Sequence, residues 1–422
     1  MYSLNDMVAL RREIHSFPEP GWCEFVTTSK IVERLKAMGV EPLVGKQIIN
    51  PEFIAGRNPA AVQAALAAAQ AKGVSQELLD KMEGYTGTLA VFKTGRPGPV
   101  IAVRFDIDCV EVSEAQEPQH RPFAEGWSSQ NPGRMHSCGH DGHLTMGVGL
   151  CSWIAENLDK LCGTIKVLFQ PAEEGVRGAR PIAESGVLDD VDFLFGNHLG
   201  LGVDTGIISA VPGEFLATTK LDATFTGVAA HAGANPEKGK NALLAAATAA
   251  LAIHALPRPI GPVSALNVGT LRAGEGRNVL APNAFMQLEV RGESEEVNAL
   301  MREEAIRRLQ GAADMYGCEL KIDKAGEATE FNPDPEAIAI AEEAAVKTVG
   351  AENVQHLDLK LGSEDATILL RRVQSHGGKG TFIVFGSTLK AGHHQRLFDF
   401  DEEVLSIAVN FYKNLLTKTN GI

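Results

Sequence analysis

Apolar residues along this chain keep two rhythms, and the points where each gives way to polar residues outline the architecture. From Leu4 to Gly39 the spacing predicts two helices. The second starts near Glu24, is apolar at Val26, Ile31, Leu35 and Met38, and stops at Gly39. Residues 59–82 are alanine-rich and helix-prone without a motif, which reads as a surface insertion of helix or a lid. From Tyr85 the rhythm becomes that of strands: GTLAVFKTG, a turn at Arg96-Pro97-Gly98, then PVIAVRFDID. Buried strands recur at GTIKVLFQ, VDFLFGNHLG and TFIVFGS. Between PVIAVRFDID and GTIKVLFQ, Leu144, Val148, Cys151, Ile154 or Ala155, and Leu158 keep helical spacing, and an apolar helix ends the chain. Buried strands alternating with helices predict an α/β protein.

Near Glu214 the register changes. TTKLDATFTG, a helix over Asn241 to Leu256, SALNVGTLRAG, NAFMQLEVRG, a helix over Ser294 to Tyr316 and CELKIDKAG read as βαββαβ. That order suits a ferredoxin-like α+β domain. Residues 214–326 are therefore assigned to an inserted domain, with 1–213 and 327–422 as the first and second parts of the main one.

The chemistry lies where apolar runs end. Open α/β sheets place their sites at the ends of buried strands, and here those ends carry Asp106 and Asp108, Glu173 and Glu174, and His198. Asp106 is the better of the first pair for orienting a ligand or catalytic group, against a plain salt bridge to Arg104 or a turn role. Two adjacent acids with no basic neighbour before Arg177 are costly to hold together unless a cation shares them. Cys138 and His140 flank Gly139, a spacing that lets a thiolate and an imidazole face one ion. A cysteine nucleophile beside a histidine, or a polar loop without chemistry, are the other readings of that segment. His231 sits in a loop of small residues, where a histidine is ordinarily just solvated, and His393 and His394 lie on a loop after a strand. Cys138, His140, Glu174, His198 and one of the last two exceed what one catalytic ion with an open position takes. They suit two divalent ions sharing a bridging ligand, with Glu173 left as general base.

Composition removes several classes. A net charge of −14 argues against nucleic acid or an anionic membrane surface as partner, though not against a small anionic substrate. The N-terminal residues lack a basic-then-apolar leader pattern, and the longest apolar stretch, Ala242 to Leu256, holds His254 and is too short to span a bilayer. The six cysteines are scattered, several within apolar runs, so reduced thiols in a cytoplasmic protein are expected. There is no GxSxG, P-loop or HExxH motif.

MHSCGHDGH, QPAEEG, GNHLG, TGVAAHAGANPEKGKNA, GRNVLAPNA and GHHQRLFDFDEEV resemble, in order, the motifs of the metal-dependent aminoacylase/carboxypeptidase amidohydrolases. The resemblance covers nearly the whole chain. It implies a mixed-sheet, zinc-peptidase-like catalytic domain, with the inserted ferredoxin-like domain serving for dimerisation or as a lid. It implies two divalent metal ions in each protomer, manganese first and zinc as alternative. Cys138 would bridge them, with His140, Glu174 and His198 completing most of both sites. The family's last ligand precedes a Phe or Tyr by four positions, which selects His394, before Phe398, over His393. Glu173 would be the base, and His231 would reach across a dimer to polarise the scissile carbonyl. Asn278 and Arg291 resemble the pair that grips the substrate's carboxylate. More distant relatives carry a histidine ligand where this chain has Arg104, so Asp106 is expected to support rather than bind; His136 and His143 match no ligand position. The implied reaction is cleavage of an N-acyl amide bond to glutamate, in p-aminobenzoyl-glutamate or a folate fragment. The alternatives are an acetyl, benzoyl or indolyl acyl group, or a non-catalytic subunit lending His231 to a partner. The implied assembly is a homodimer, or a heterodimer with a related B subunit.

Overall fold

Four strands rich in Val, Ile and Phe are buried almost without a break, where a half-exposed strand would alternate. These are Val100–Asp106, Thr164–Gln170, Phe193–Leu199 and Lys379–Phe385. Unbroken burial marks strands covered on both faces, the usual condition of parallel strands in α/β proteins. The structure, a computed structural model, describes residues 2–210, 215–356 and 362–422. In it these four strands are neighbours and mutually parallel. The whole sheet runs Leu43–Val44, Thr88–Lys93, Thr164–Gln170, Val100–Asp106, Phe193–Leu199, Lys379–Phe385, Ile208–Ser209, with antiparallel pairing at both outer ends. It is a mixed sheet, and the chain is α/β.

Helix His140–Asn157 packs against Leu4–His15 and Glu403–Asn420, and its small residues bring it close to the sheet. A Cβ on Gly147 would stand 2.6 Å from Phe169 and 2.7 Å from Phe105, so only glycine permits this approach. The alanine-rich segment folds as two helices, Pro59–Ala71 and Gln76–Met82, the first of them packed on Phe25–Ala37.

The chain divides into two compact units, one comprising Met1–Gly213, Phe331–Lys360 and Asp365–Ile422, the other Glu214–Glu330 and Leu361–Glu364. In the second, an antiparallel sheet runs Glu319–Ala328, Ala217–Thr226, Asn283–Gly292, Ser264–Ala273. Alternate residues of these strands (Leu221, Ala223, Phe225; Met286, Leu288, Val290) pack on helices Ala242–His254 and Glu295–Tyr316. No disulfide joins any of the six cysteines. Among the described residues, no helix is long and apolar enough to cross a membrane.

Candidate metal centre

Because the central strands are parallel, their carboxyl ends open at one edge of the sheet, and each run delivers a polar group there. Asp106 ends its strand and Asp108 follows it, Glu173 and Glu174 follow Gln170, and His198 lies near the end of Phe193–Leu199. Helix His140–Asn157 starts at the same edge. Gly139, at φ 89°, turns the chain into it and leaves Cys138 just outside. The loop carrying His393 and His394 closes on itself through a Leu389–Phe400 bridge, and the His394 N–H donates to the Ser137 carbonyl at 2.8 Å.

These elements bring together every ligand residue expected from the sequence. Ligand atoms of Cys138, His140 and His198 lie within 4.8 Å of one another, as do those of Cys138, Glu174 and His394, and of His140, Glu173 and Glu174. The first two groups share Cys138, as two ions with a bridging thiolate would require. Cys138 Sγ is 3.4 Å from His198 Nε2, and His394 Nε2 is 3.2 Å from Glu174 Oε1. His394 has φ 62°, a left-handed backbone that separates it from its neighbour. The His393 ring lies against those of His198 and Phe398 and enters no ligand group among the described residues.

Hydrogen bonds fix which histidine nitrogens face inward. His198 Nδ1 donates to the Leu199 carbonyl at 2.7 Å, so its Nε2 lone pair is the one presented to Cys138. His143 is occupied on both nitrogens: Nε2 accepts from the Leu199 N–H at 2.9 Å, and Nδ1 donates to Asp106 at 2.5 Å. His143 therefore supports the site, and so does Asp106, which also binds Arg104 at 2.8 Å. His140 Nδ1 faces Asp108 at 3.3 Å, leaving Nε2 buried with no hydrogen-bond partner. Glu174 Oε1 is buried as well, with His394 Nε2 as its neighbour at 3.2 Å. Orphaned buried atoms are costly unless something else satisfies them. A thiol, three imidazoles and a carboxylate gathered in groups that share Cys138 fit divalent cations.

The electrostatics agree. Burial alone would lower the pKa of His140, but Asp106, Asp108 and Glu174 outweigh it and carry the imidazole up to about 10. Burial would raise Asp106, yet His140, His143 and Arg104 hold it well below the usual carboxylate range. The carboxylates around His140 thus favour positive charge in this cluster.

Residues outside the expected ligand set hold this arrangement. Asp108 accepts the N–H groups of Glu173 at 3.1 Å and Glu174 at 2.9 Å, so it organises the acidic pair more directly than Asp106 does. Arg11 is wholly buried and donates to Asp141 at 2.8 Å, Asp399 at 3.1 Å and Glu402 at 3.2 Å, which joins the start of helix His140–Asn157 to the segment that follows His394. Its signal was present: a cation within the apolar stripe of Met7, Leu10 and Ile14.

His231, Asn278 and Arg291 belong to the second unit. His231 Nδ1 accepts from the N–H groups of Gly233 and Ala234 at 3.2 and 3.1 Å, which places its proton on Nε2 as a donor in an exposed loop. Its loop pairs with that of Asn278: the Ala232 N–H donates to the Asn278 carbonyl at 2.9 Å. Arg291 sits at the far end of strand Asn283–Gly292, where its Nε donates to Glu289 at 3.1 Å. From Asn283 to Arg291 the strand spans roughly 26 Å. Asn278 lies on the loop that precedes this strand and Arg291 near the strand's far end.

Residues 102–418 match the family model described as Peptidase family M20/M25/M40. A homolog of one of the subunits of p-aminobenzoyl-glutamate hydrolase, from Haemophilus influenzae, is 48% identical over 416 residues, 98% of each chain. An indole-3-acetyl-aspartic acid hydrolase from Enterobacter agglomerans is 44% identical over 96% of this chain and 94% of its own. The crystal structure of an aminobenzoyl-glutamate utilization protein from Klebsiella pneumoniae superposes with a TM-score of 0.84 at 35% identity, covering 98% of this chain and 95% of that one.

Proposed function

The chain belongs to the M20/M25/M40 peptidase family, and on that footing we propose that it is a binuclear metal amidohydrolase. Its substrate is an aromatic acyl group in amide linkage to an acidic amino acid, p-aminobenzoyl-glutamate foremost. The chemistry is carried by one observation, two groups of ligand atoms that share the buried Cys138, with Glu173 beside them. The substrate rests on full-length similarity to the Haemophilus influenzae protein.

Cys138, His140, Glu174, His198 and His394 would hold the two ions. A thiolate with imidazoles suits zinc and a carboxylate-containing binuclear site also takes manganese, the first choice here. When bound, such ions polarise a carbonyl and make water nucleophilic at neutral pH. Glu173 takes the proton of the attacking water and returns it to the leaving amino group of glutamate. Asp108 keeps that carboxylate in place by fixing its backbone. The Nε2–H of His231 is the donor for the oxygen that gains charge as the carbonyl is attacked.

The opposed ends of the Asn283–Gly292 strand favour a site completed by two chains, with His231 and Asn278 from one and the metal ligands from the other. The second unit then acts as a ferredoxin-like dimerisation domain. Exposed Leu244 and Leu251 on helix Ala242–His254, together with the edge strand Ser264–Ala273, give it an apolar face to bury. A full set of ligands and base in this chain favours a homodimer over a heterodimer with a B subunit.

The Enterobacter agglomerans relative supports a second reading, an indolylacetyl group on aspartate. A panel of both conjugates with N-acetyl- and N-benzoyl-glutamate decides between acyl groups by kcat/KM. Arg291→Ala in the same panel should abolish the preference for acidic amino acids, at a loss of about 10²-fold on the preferred substrate. An undiminished preference would remove Arg291 from the reading of the carboxylate.

A further inference from the structure

The turn that leads into Glu173 is left-handed at a residue with a Cβ. Ala172 has φ 53° and is wholly buried, a conformation that L residues other than glycine seldom take without help. This twist follows Pro171 directly and precedes the two acids, so the direction of Glu173 depends on it.

Help comes from across the sequence. The Ala172 N–H donates to Glu24 Oε1 at 2.8 Å, and the hydroxyl of Thr86 donates to Glu24 Oε2 at 2.6 Å. The next two N–H groups, of Glu173 and Glu174, donate to Asp108. Three successive N–H groups thus form a concave nest of the kind that binds anions, filled here by two carboxylates of the protein. The Ala172 carbonyl accepts from Gly178 at 2.8 Å and Arg177 at 3.1 Å, closing the turn from its other side.

Glu24 stands at the N-cap of helix Phe25–Ala37, where a short polar side chain ordinarily accepts the helix's own unpaired N–H groups. It makes no such bond. Glu19 takes that role instead, accepting from Val26 at 3.1 Å and Thr27 at 2.7 Å. The Glu24 carboxyl is left for the Ala172 turn.

We propose that Glu24 is a positioning residue for the general base: by holding the Ala172 N–H it keeps the turn left-handed and the Glu173 carboxylate aimed at the reacting water. This rests on the reading of Glu173 as base. Glu24→Ala, Glu24→Gln and the double variant Glu24→Ala/Ala172→Gly are compared with the parent on p-aminobenzoyl-glutamate, with bound metal and melting temperature measured for each. Glu24→Ala should lower kcat on the order of 10²-fold, the penalty of a misplaced catalytic group, with KM and metal content near those of the parent. Glu24→Gln, whose amide oxygen can accept the same N–H, should recover most of the loss. The double variant should recover part of it, because glycine takes positive φ without a Cβ penalty.

Parental kcat in Glu24→Ala, equal impairment in the Ala and Gln variants, or a double variant no faster than Glu24→Ala would each overturn the proposal. A lower melting temperature without a fall in kcat would assign Glu24 a merely structural role. If Glu24→Ala does not fold, Glu24→Met, which fills the space without an acceptor, replaces it. Glu173→Ala in the same series separates the two readings. Parental turnover there defeats the base assignment and this proposal together, whereas loss there with parental Glu24→Ala defeats only the latter.

Discussion

Glu173→Ala is expected to lower kcat by on the order of 10²–10⁴-fold while both metal ions remain bound. The buried Glu173 carboxylate joins a ligand group with His140 and Glu174, but the two groups that share Cys138 are complete without it. Its backbone is fixed by Asp108, so removing the carboxylate leaves the turn standing. A base acts only as the proton moves, so the loss should fall on kcat and kcat/KM alike, with KM little changed. Glu174→Ala should behave differently, since its oxygen lies in the group with Cys138 and His394, and metal content should fall with activity. Metal analysis beside steady-state kinetics distinguishes the two. Near-parental kcat in metal-loaded Glu173→Ala would remove the base from the mechanism.

The largest stability effect is expected at Arg11. Arg11→Met should destabilise the fold by about 3–5 kcal/mol, the usual loss when a buried charge network is left without one partner. Asp141, Asp399 and Glu402 would all lose their common cation, although His15 still reaches Asp141 at 2.8 Å and Arg121 still reaches Asp399 at 2.7 Å. The guanidinium also lies 4.2 Å from the Phe400 ring and 4.6 Å from the Trp127 ring, contacts that methionine cannot reproduce as a cation. Arg12, one residue on and 30% exposed at its side chain, is the control. Arg12→Met should cost no more than about 1 kcal/mol. Denaturant melts of both variants give the comparison, and equal losses would show that burial is not what makes Arg11 matter.

The strand ends were legible because long apolar runs stop abruptly on Asp, Glu or His, and parallel strands carry those stops to one edge. The choice of His394 over His393 came from a family spacing. Its physical basis, a left-handed backbone at His394, has no local signal in the sequence. Asp106 and Asp108 were separable only once the strand was seen to end at Asp106, which frees Asp108 to turn onto the next loop. Glu24 and Ala172 meet across 148 residues, and nothing in the Pro-Ala-Glu-Glu string marks the alanine as left-handed. The opposed placement of Asn278 and Arg291 was available from the sequence, since the strand between them is an alternating apolar run of known rise. It follows from geometry once that strand is taken at its full length.

The most direct test of the account is a metal titration of the purified chain, stripped with a chelator and reloaded with manganese or zinc, read by hydrolysis of p-aminobenzoyl-glutamate. Two divalent ions per chain should restore an activity that is absent in the stripped protein, with no partner protein supplied. Hydrolysis that survives stripping, or full activity at one ion per chain, would contradict a binuclear metal mechanism.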